Sequence, residues 1–183
     1  NGTLNLTVSL VDYGQGTYTA LAQIVSDQLD IPVDKVNVVW EQNTETKPYD
    51  WQTVASKGLF MSGNATIKAC EDMAQQLKEV ASEPLRCSVE DLIIEDEKVK
   101  IRHHPDKYIT FEELAMGYTY PNGNAIGGPL VARGNYIAQG LTNIDPETGQ
   151  GLPALDWTYG AHGVEVIVDE ETGELNVVKI ASA

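Results

Sequence analysis

Residues 4–29, LNLTVSLVDYGQGTYTALAQIVSDQL, change hydrophobic period part-way along, and that change decides the fold. Leu4, Leu6, Val8 and Leu10 alternate with mostly polar neighbours, the period-two pattern of a strand with one buried face. Leu21, Val25 and Leu29 then recur every four residues, Ala20 and Ile24 widen the stripe, and Pro32 follows, so the spacing predicts a helix that ends just after Leu29. Between them Gly14 and Gly16 flank the single amide of Gln15. One reading is a tight turn from strand into helix. The other is an anion site, because glycines permit close backbone approach and the N–H groups of a helix start remain free to donate. Gln15 adds both a donor and an acceptor.

Further along, residues 36–40 read as a short strand and residues 41–53 as a polar loop containing Pro48. Ser62-Gly63-Asn64 signals the start of a second helix, with Ile67, Cys70, Ala74, Leu77 and Ala81 on one face and Pro84 as its stop. Residues 92–94 and 99–101 flank the acidic turn Glu95-Asp96-Glu97 as a small hairpin, and residues 111–116 read as a short helix. Residues 117–128 are rich in glycine and form a loop or a boundary between lobes. Residues 129–138 and 159–168 are strand candidates, and residues 164–168 and 175–180 form a hairpin whose turn needs the positive φ of Gly173. No internal repeat of fixed short period is evident. The expected fold is α+β, mixed sheets with packed helices in two lobes, divided as residues 1–116, a loop over 117–128, and a mainly β segment over 129–183.

Composition narrows the function. The 183 residues are 42% apolar, enough for a real core, and 12 Lys and Arg stand against 27 Asp and Glu for a net charge of −15. With no basic stripe, nucleic acid and anionic membranes are poor partners. No apolar run reaches the roughly 18 residues of a membrane span, and no signal peptide is recognisable at the start. The absence of an initial Met suggests a piece of something longer. Cys70 and Cys87 have no spacing for zinc or an iron–sulfur cluster; they read as buried or idle thiols, a single disulfide being the alternative, and suit a cytoplasmic protein. His103, His104 and His162 complete no zinc pattern, and Asp27, Asp30 and Asp34 lack the spacing of a calcium loop. The glycosylation-type triplets at Asn1, Asn5 and Asn64 are best read as chance.

A second cluster carries chemistry. Ser56 can donate to a phosphate oxygen, Lys57 can offset its charge, and Gly58 lets the chain wrap, just ahead of the second helix. An ordinary loop with a helix cap is the plain alternative. In order and spacing, Gly14-Gln15-Gly16, Ile31-Pro32, Lys35-Val36, Pro48, Asp50, Ala55-Ser56 and Ser62-Gly63-Asn64-Ala65 resemble the molybdenum-binding region of the xanthine dehydrogenase and aldehyde oxidase family. Gly163-Val164-Glu165-Val166 with Val168-Asp169 and Thr172-Gly173-Glu174 resembles a strand pair of the same family, while residues 85–157 match only loosely, apart from Phe111-Glu112-Glu113-Leu114.

The resemblance implies a fragment of an oxidoreductase that hydroxylates an aromatic heterocycle, purine or aldehyde, using oxygen from water. Electrons would leave through iron–sulfur clusters, usually to FAD, both held in partner domains or subunits. It implies a molybdopterin cofactor, in a plain or cytosine dinucleotide form, with Gly14, Gln15 and Gly16 at its molybdenum end. Ala55 would lie against the metal site, and Ser56, Lys57 and Gly58 would hold the pterin and its phosphate. No metal-ligating side chain is implied. Trp51 would lie near the substrate funnel, whereas Trp40 and Trp157 read as core or interface residues. The chain departs from the pattern at Gly58, where a hydroxyl residue is common, and at Asp12-Tyr13, where a Glu-Met pair is frequent. The family's general-base glutamate is expected beyond Ala183, so the isolated chain is expected to be inactive and to need the remainder of the polypeptide, its partner subunits and a small-molecule substrate. The rival reading is a non-catalytic binding or interaction module of the same fold.

Overall fold

The computed structural model describes every residue except 1, 42, 51, 55, 56 and 156–158. The opening stretch folds as a β–α–β unit. Strand β1 (Leu4–Thr7) leads to helix α1 (Thr17–Leu29) and back to β2 (Val36–Val39), which lies parallel to β1 in register Leu4↔Val36 to Thr7↔Val39. The ladder of β1 is shorter than the alternation suggests, yet Val8 and Leu10 continue the buried face beyond it. Helix α1 buries Leu21, Val25 and Leu29 as expected, but the stripe is widened by Thr17 and Ala22, while Ala20 and Ile24 are only half-buried. It ends at Asp30, which adopts φ 49° and returns its N–H to the Ser26 carbonyl, a left-handed C-cap on a residue type that tolerates this region.

Helix α2 (Lys57–Leu85) starts earlier than the Ser62-Gly63-Asn64 signal suggested. Those residues lie inside the helix: Asn64 Nδ2 donates back to the Phe60 carbonyl at 2.7 Å, and Thr66 Oγ1 to the Ser62 carbonyl at 2.7 Å. Gly63 is buried there because a Cβ would stand 3.3 Å from Ile24 Cδ1 of α1, so the glycine marks a close helix–helix contact rather than a cap. Pro84 does mark the end, one residue before the last helical one.

Beyond α2 the expected hairpin gains a third strand. The antiparallel sheet has the order β3 (Leu92–Glu95), β4 (Lys98–Ile101), β5 (His104–Thr110). Asp96 and Glu97 both have positive φ, 51° and 59°, in the two-residue turn joining β3 to β4. The strain of this non-glycine turn is offset by Asp30, whose carboxylate accepts from Asp96 N–H at 2.8 Å and whose carbonyl accepts from Glu97 N–H at 3.1 Å. Lys100, buried, closes on Glu95 at 2.8 Å and Asp96 at 3.0 Å.

A capping box opens α3 (Phe111–Leu114): the Thr110 hydroxyl accepts from Glu113 N–H at 3.3 Å while Glu113 Oε2 accepts from Thr110 N–H at 2.9 Å. The Thr110 hydroxyl and then its N–H hold the Glu113 carboxyl below its ordinary range. Thr110→Ala should cost about 1 kcal/mol in urea unfolding at neutral pH. Because the folded carboxyl titrates lower than the unfolded one, its contribution is complete above the ordinary range and fades as pH falls through the folded value. The difference between Thr110→Ala and the parent should therefore shrink in acid.

Residues 117–128 hold a two-strand ribbon, β6 (Tyr118–Thr119) and β7 (Ala125–Ile126). Residues 129–138 form no strand, contrary to expectation. The Leu130 N–H goes to the Ala115 carbonyl at 3.1 Å, the Val131 carbonyl accepts from Gln76 Nε2 at 3.0 Å, and the Arg133 N–H goes to Asp72 Oδ2 at 3.1 Å. Three of the segment's backbone groups are thus bonded to α2 side chains and to the carbonyl just after α3. The main core gathers Val25, Leu29, Ile31, Val36, Cys70, Leu77, Ala81, Leu92, Val99, Ile109, Phe111 and Leu114. Cys70 and Cys87 are free thiols, and burial, then Glu71, pushes Cys70 up to about 11.

The chain divides into two compact units, Asn1–Gly140 and Leu141–Ala183. In the second, β8 (His162–Val168) pairs antiparallel with β9 (Leu175–Ser182), as expected for the hairpin. Its turn has a twin in the same unit. Asp145 Oδ1 accepts from the N–H groups of Glu147 and Thr148, and Asp169 Oδ1 from those of Glu171 and Thr172, all at 2.8 to 2.9 Å. Gly149, at φ 71°, and Gly173, at φ 74°, close the two loops by donating to the carbonyls of Asp145 and Asp169. Both read Asp-x-Glu-Thr-Gly, a repeated loop that a search for fixed periods misses. The observed architecture is mixed α+β, as the sequence led us to expect.

Candidate functional site

The turn between β1 and α1 is built around a carboxylate. Gly16, at φ 77° and ψ 19°, is the N-cap of α1 and has no side chain to cap it. Asp12 reaches over the loop in its place: Oδ1 accepts from Gly14 N–H at 3.0 Å and Gly16 N–H at 3.3 Å, and Oδ2 from Tyr18 N–H at 3.0 Å. Those amides, with that of Tyr18 first and Gly14 next, hold the Asp12 carboxyl below its ordinary range against the opposing effect of desolvation. The expectation of free N–H groups at the start of α1 is therefore corrected, because the chain supplies its own anion there.

Gln15 is fixed at both ends of its amide. Oε1 accepts from Tyr13 N–H at 2.9 Å, and Nε2 donates to the Val11 carbonyl at 2.9 Å. A primary amide has two N–H donors, so this latch uses one of them. Gly14 and Gly16 leave open space beside it: a Cβ on either would meet nothing within 4 Å, and only the positive φ of 119° and 77° calls for glycine.

The loop that precedes the second cluster is tied to the first through Ser9 and Val11. The Val11 N–H donates to Thr53 Oγ1 at 2.8 Å, and the Ser9 hydroxyl to the Pro48 carbonyl, which fastens the loop before α2 alongside the end of the first strand. Gly58, in the first turn of α2, would place a Cβ 3.9 Å from Thr53 Cγ2, an ordinary contact. Two hydrogen bonds thus run from the Gln15 amide through the Val11 peptide to Thr53, five residues ahead of Gly58. Lys57 is the first residue of α2. Ala55, Ser56 and Trp51 lie outside the described residues.

Sequence reasoning noted Asp12 only as a departure and passed over Thr53. The available signal was an Asp two and four residues ahead of glycines whose N–H groups its carboxylate can collect. Among the described residues, no group of three or more His, Cys, Asp or Glu is placed to hold a metal ion. Among them, too, no helix is long and apolar enough to cross a membrane.

A family described as the molybdopterin cofactor-binding domain matches residues 1–183, the whole chain. The chain belongs to this family. It is 28% identical over 161 residues to the carbon monoxide dehydrogenase large chain of Afipia carboxidovorans, covering 87% of this chain and 18% of that one. It is 29% identical over 176 residues to xanthine dehydrogenase 1 of Arabidopsis thaliana, covering 96% of this chain and 11% of that one. Among solved structures, quinoline 2-oxidoreductase from Pseudomonas putida 86 superposes with a TM-score of 0.65 at 26% identity, over 97% of this chain and 21% of that one. The relatives are thus two dehydrogenases and an oxidoreductase, and this chain spans about a fifth or less of each of these three.

Proposed function

We propose that the chain forms one wall of the cofactor cage in a molybdenum hydroxylase, with Gln15 at the molybdenum end and Ser56, Lys57 and Gly58 toward the phosphate. The observation that carries this reading is the latched Gln15 amide, which keeps one N–H beyond those it spends on Val11, beside two glycines that leave the approach open. The donor set suits a group bound through its own dithiolene and phosphate. It offers the Gln15 amide, open space beside two glycines and the start of α2. When bound, the group supplies the oxidising chemistry; the chain's own residues bind and orient it.

In this reading the whole protein oxidises an aromatic heterocycle, purine or aldehyde. The general base, the iron–sulfur clusters and the flavin come from outside these residues, and the 183-residue chain by itself is inactive. The β8–β9 hairpin supports a larger assembly. Its cross-strand pairs Val164↔Ile180, Val166↔Val177 and Val168↔Leu175 put six apolar side chains on one face, every one of them at least 43% exposed. The other face is mixed, with Glu165 paired to Lys179 and Ile167 to Asn176. An apolar face of that kind suits coverage by the remainder of the polypeptide.

The test is Gln15→Ala in the complete, cofactor-loaded protein. Losing one neutral hydrogen bond should lower molybdenum retention or turnover by roughly fivefold. Unchanged turnover and molybdenum content would favour the rival reading, a binding module that uses the fold without the chemistry.

A further inference from the structure

Helix α1 begins on a residue that cannot cap it, and its cap arrives from four residues upstream. A side chain at the N-cap position satisfies one or two amides of its own first turn. Asp12 collects Gly14 and Gly16 N–H on one oxygen and Tyr18 N–H on the other, so the same carboxylate binds both the loop and the helix. For Gly14 and Gly16 to face one oxygen, the chain between them must curl, and both adopt positive φ to do so. That curl brings Gln15 back over the segment that follows β1, where its amide meets the Val11 carbonyl and the Tyr13 N–H.

We propose that Asp12 is a positioning residue: it occupies the anion site at the start of α1 and, by shaping the loop, sets the direction in which Gln15 presents its remaining donor. Two consequences follow. A phosphate group of the cofactor is not held at the α1 terminus, since that position is already filled by a fixed negative charge. The loop meets its ligand through the Gln15 side chain and not through its backbone N–H groups. The part concerning Gln15 rests on the function proposed above; the hold of Asp12 on the loop does not.

The chemistry of the two oxygens supplies a discriminating variant. Asp12→Asn keeps the size, and its carbonyl oxygen can still accept from Gly14 and Gly16, but its NH2 group would face the Tyr18 N–H donor to donor. Asp12→Glu restores a carboxylate on a longer stem. In the complete protein, hydrogen–deuterium exchange of the peptide covering residues 11–20 is measured by mass spectrometry, with molybdenum content, kcat and the unfolding midpoint read alongside. Asp12→Asn is expected to speed exchange in that peptide about tenfold, the scale of one charge-assisted hydrogen bond, and Asp12→Glu to recover most of it.

Asp12→Asn is also expected to lower kcat, and to add less than about twofold when Gln15 is already alanine, because residues acting through one another are not additive. A general loss of stability would instead move the unfolding midpoint without that non-additivity. Unchanged exchange in Asp12→Asn overturns the proposal. So do fully additive losses in the double variant. If Gln15→Ala leaves molybdenum content and turnover untouched, the cofactor reading fails by itself, and the exchange arm still decides whether Asp12 holds the loop.

Discussion

Leu29→Ala is expected to lower the stability of the first unit by about 3 kcal/mol, the usual cost of emptying a fully enclosed leucine site. Leu29 is 0% exposed and sits in the main core cluster, at the last turn of α1. Two features limit relaxation around the lost side chain. The chain turns sharply just after it, with Asp30 at φ 49° and the Ile31 N–H bonded to the Ser26 carbonyl at 3.2 Å. Asp30 is also pinned to the β3–β4 turn through both its carboxylate and its carbonyl. The backbone at 29–31 therefore cannot sink into the space without breaking hydrogen bonds to a separate sheet. For a domain of this size, a loss of that order should bring the thermal midpoint down by roughly 10 °C. Circular dichroism at 222 nm reads the right transition, because α1 and α2 both lie in the first unit. Val178→Ala, at a site 53% exposed on the hairpin, should shift the midpoint by far less. A change at Leu29 no larger than at Val178 would mean that the α1 core contributes little to this unit.

The contrast between α1 and α2 explains what could be read from the sequence. Leu21, Val25 and Leu29 carry their spacing with them, and the helix they form buries that stripe. The start of α2 failed on the residues where the cap chemistry looked best. Ser62, Gly63 and Asn64 are good N-cap residues in isolation, but a small residue was needed at 63 for a different reason, the approach of Ile24 from α1. That distance is a tertiary quantity, absent from any local window. The strand expected over 129–138 failed in the same way: its apolar residues favour extension, yet among the described residues no strand pairs with it, and its bonds go to Asp72, Gln76 and Ala115.

The β3–β4 and β8–β9 hairpins were legible because both halves and the turn sit within one short window. At the candidate site, the Gly14-Gln15-Gly16 turn was visible as glycine flanking an amide. Asp12 was hidden by convention, since a cap is sought beside the first helical residue and this one acts across the loop. Thr53 was hidden by distance, 42 residues from the Val11 N–H it accepts.

The segment after β7 supplies the other large effect: Gly134→Ala is expected to cost about 2 kcal/mol and to lift that segment from α2. A Cβ at 134 would fall against the Ala65 carbonyl oxygen and 2.5 Å from the Ala69 nitrogen, both main chain of a long helix that cannot yield by changing rotamer. No positive φ is involved at this glycine, so the penalty is contact alone. The neighbours show what is lost when the segment moves. The Arg133 N–H to Asp72 bond at 3.1 Å, the Gln76 to Val131 bond at 3.0 Å, and the edge-on contact of Tyr136 with Phe60, ring centres 5.7 Å apart, all depend on the same close approach. Lys68 also stands 5.5 Å from the Tyr136 ring centre. These ties flank the glycine on both sides, so a clash at its centre should release them together. Arg133 itself provides the readout, as trypsin cleaves after arginine and needs an extended, accessible backbone. Cleavage at that bond should accelerate about thirtyfold in Gly134→Ala, as expected if opening is easier by that same ~2 kcal/mol. Gly128→Ala is the matched control: it lies in the same unit, has no positive φ, and its Cβ would meet nothing within 4 Å. Equal cleavage rates in the two variants would show that the segment does not depend on contact with the helix backbone.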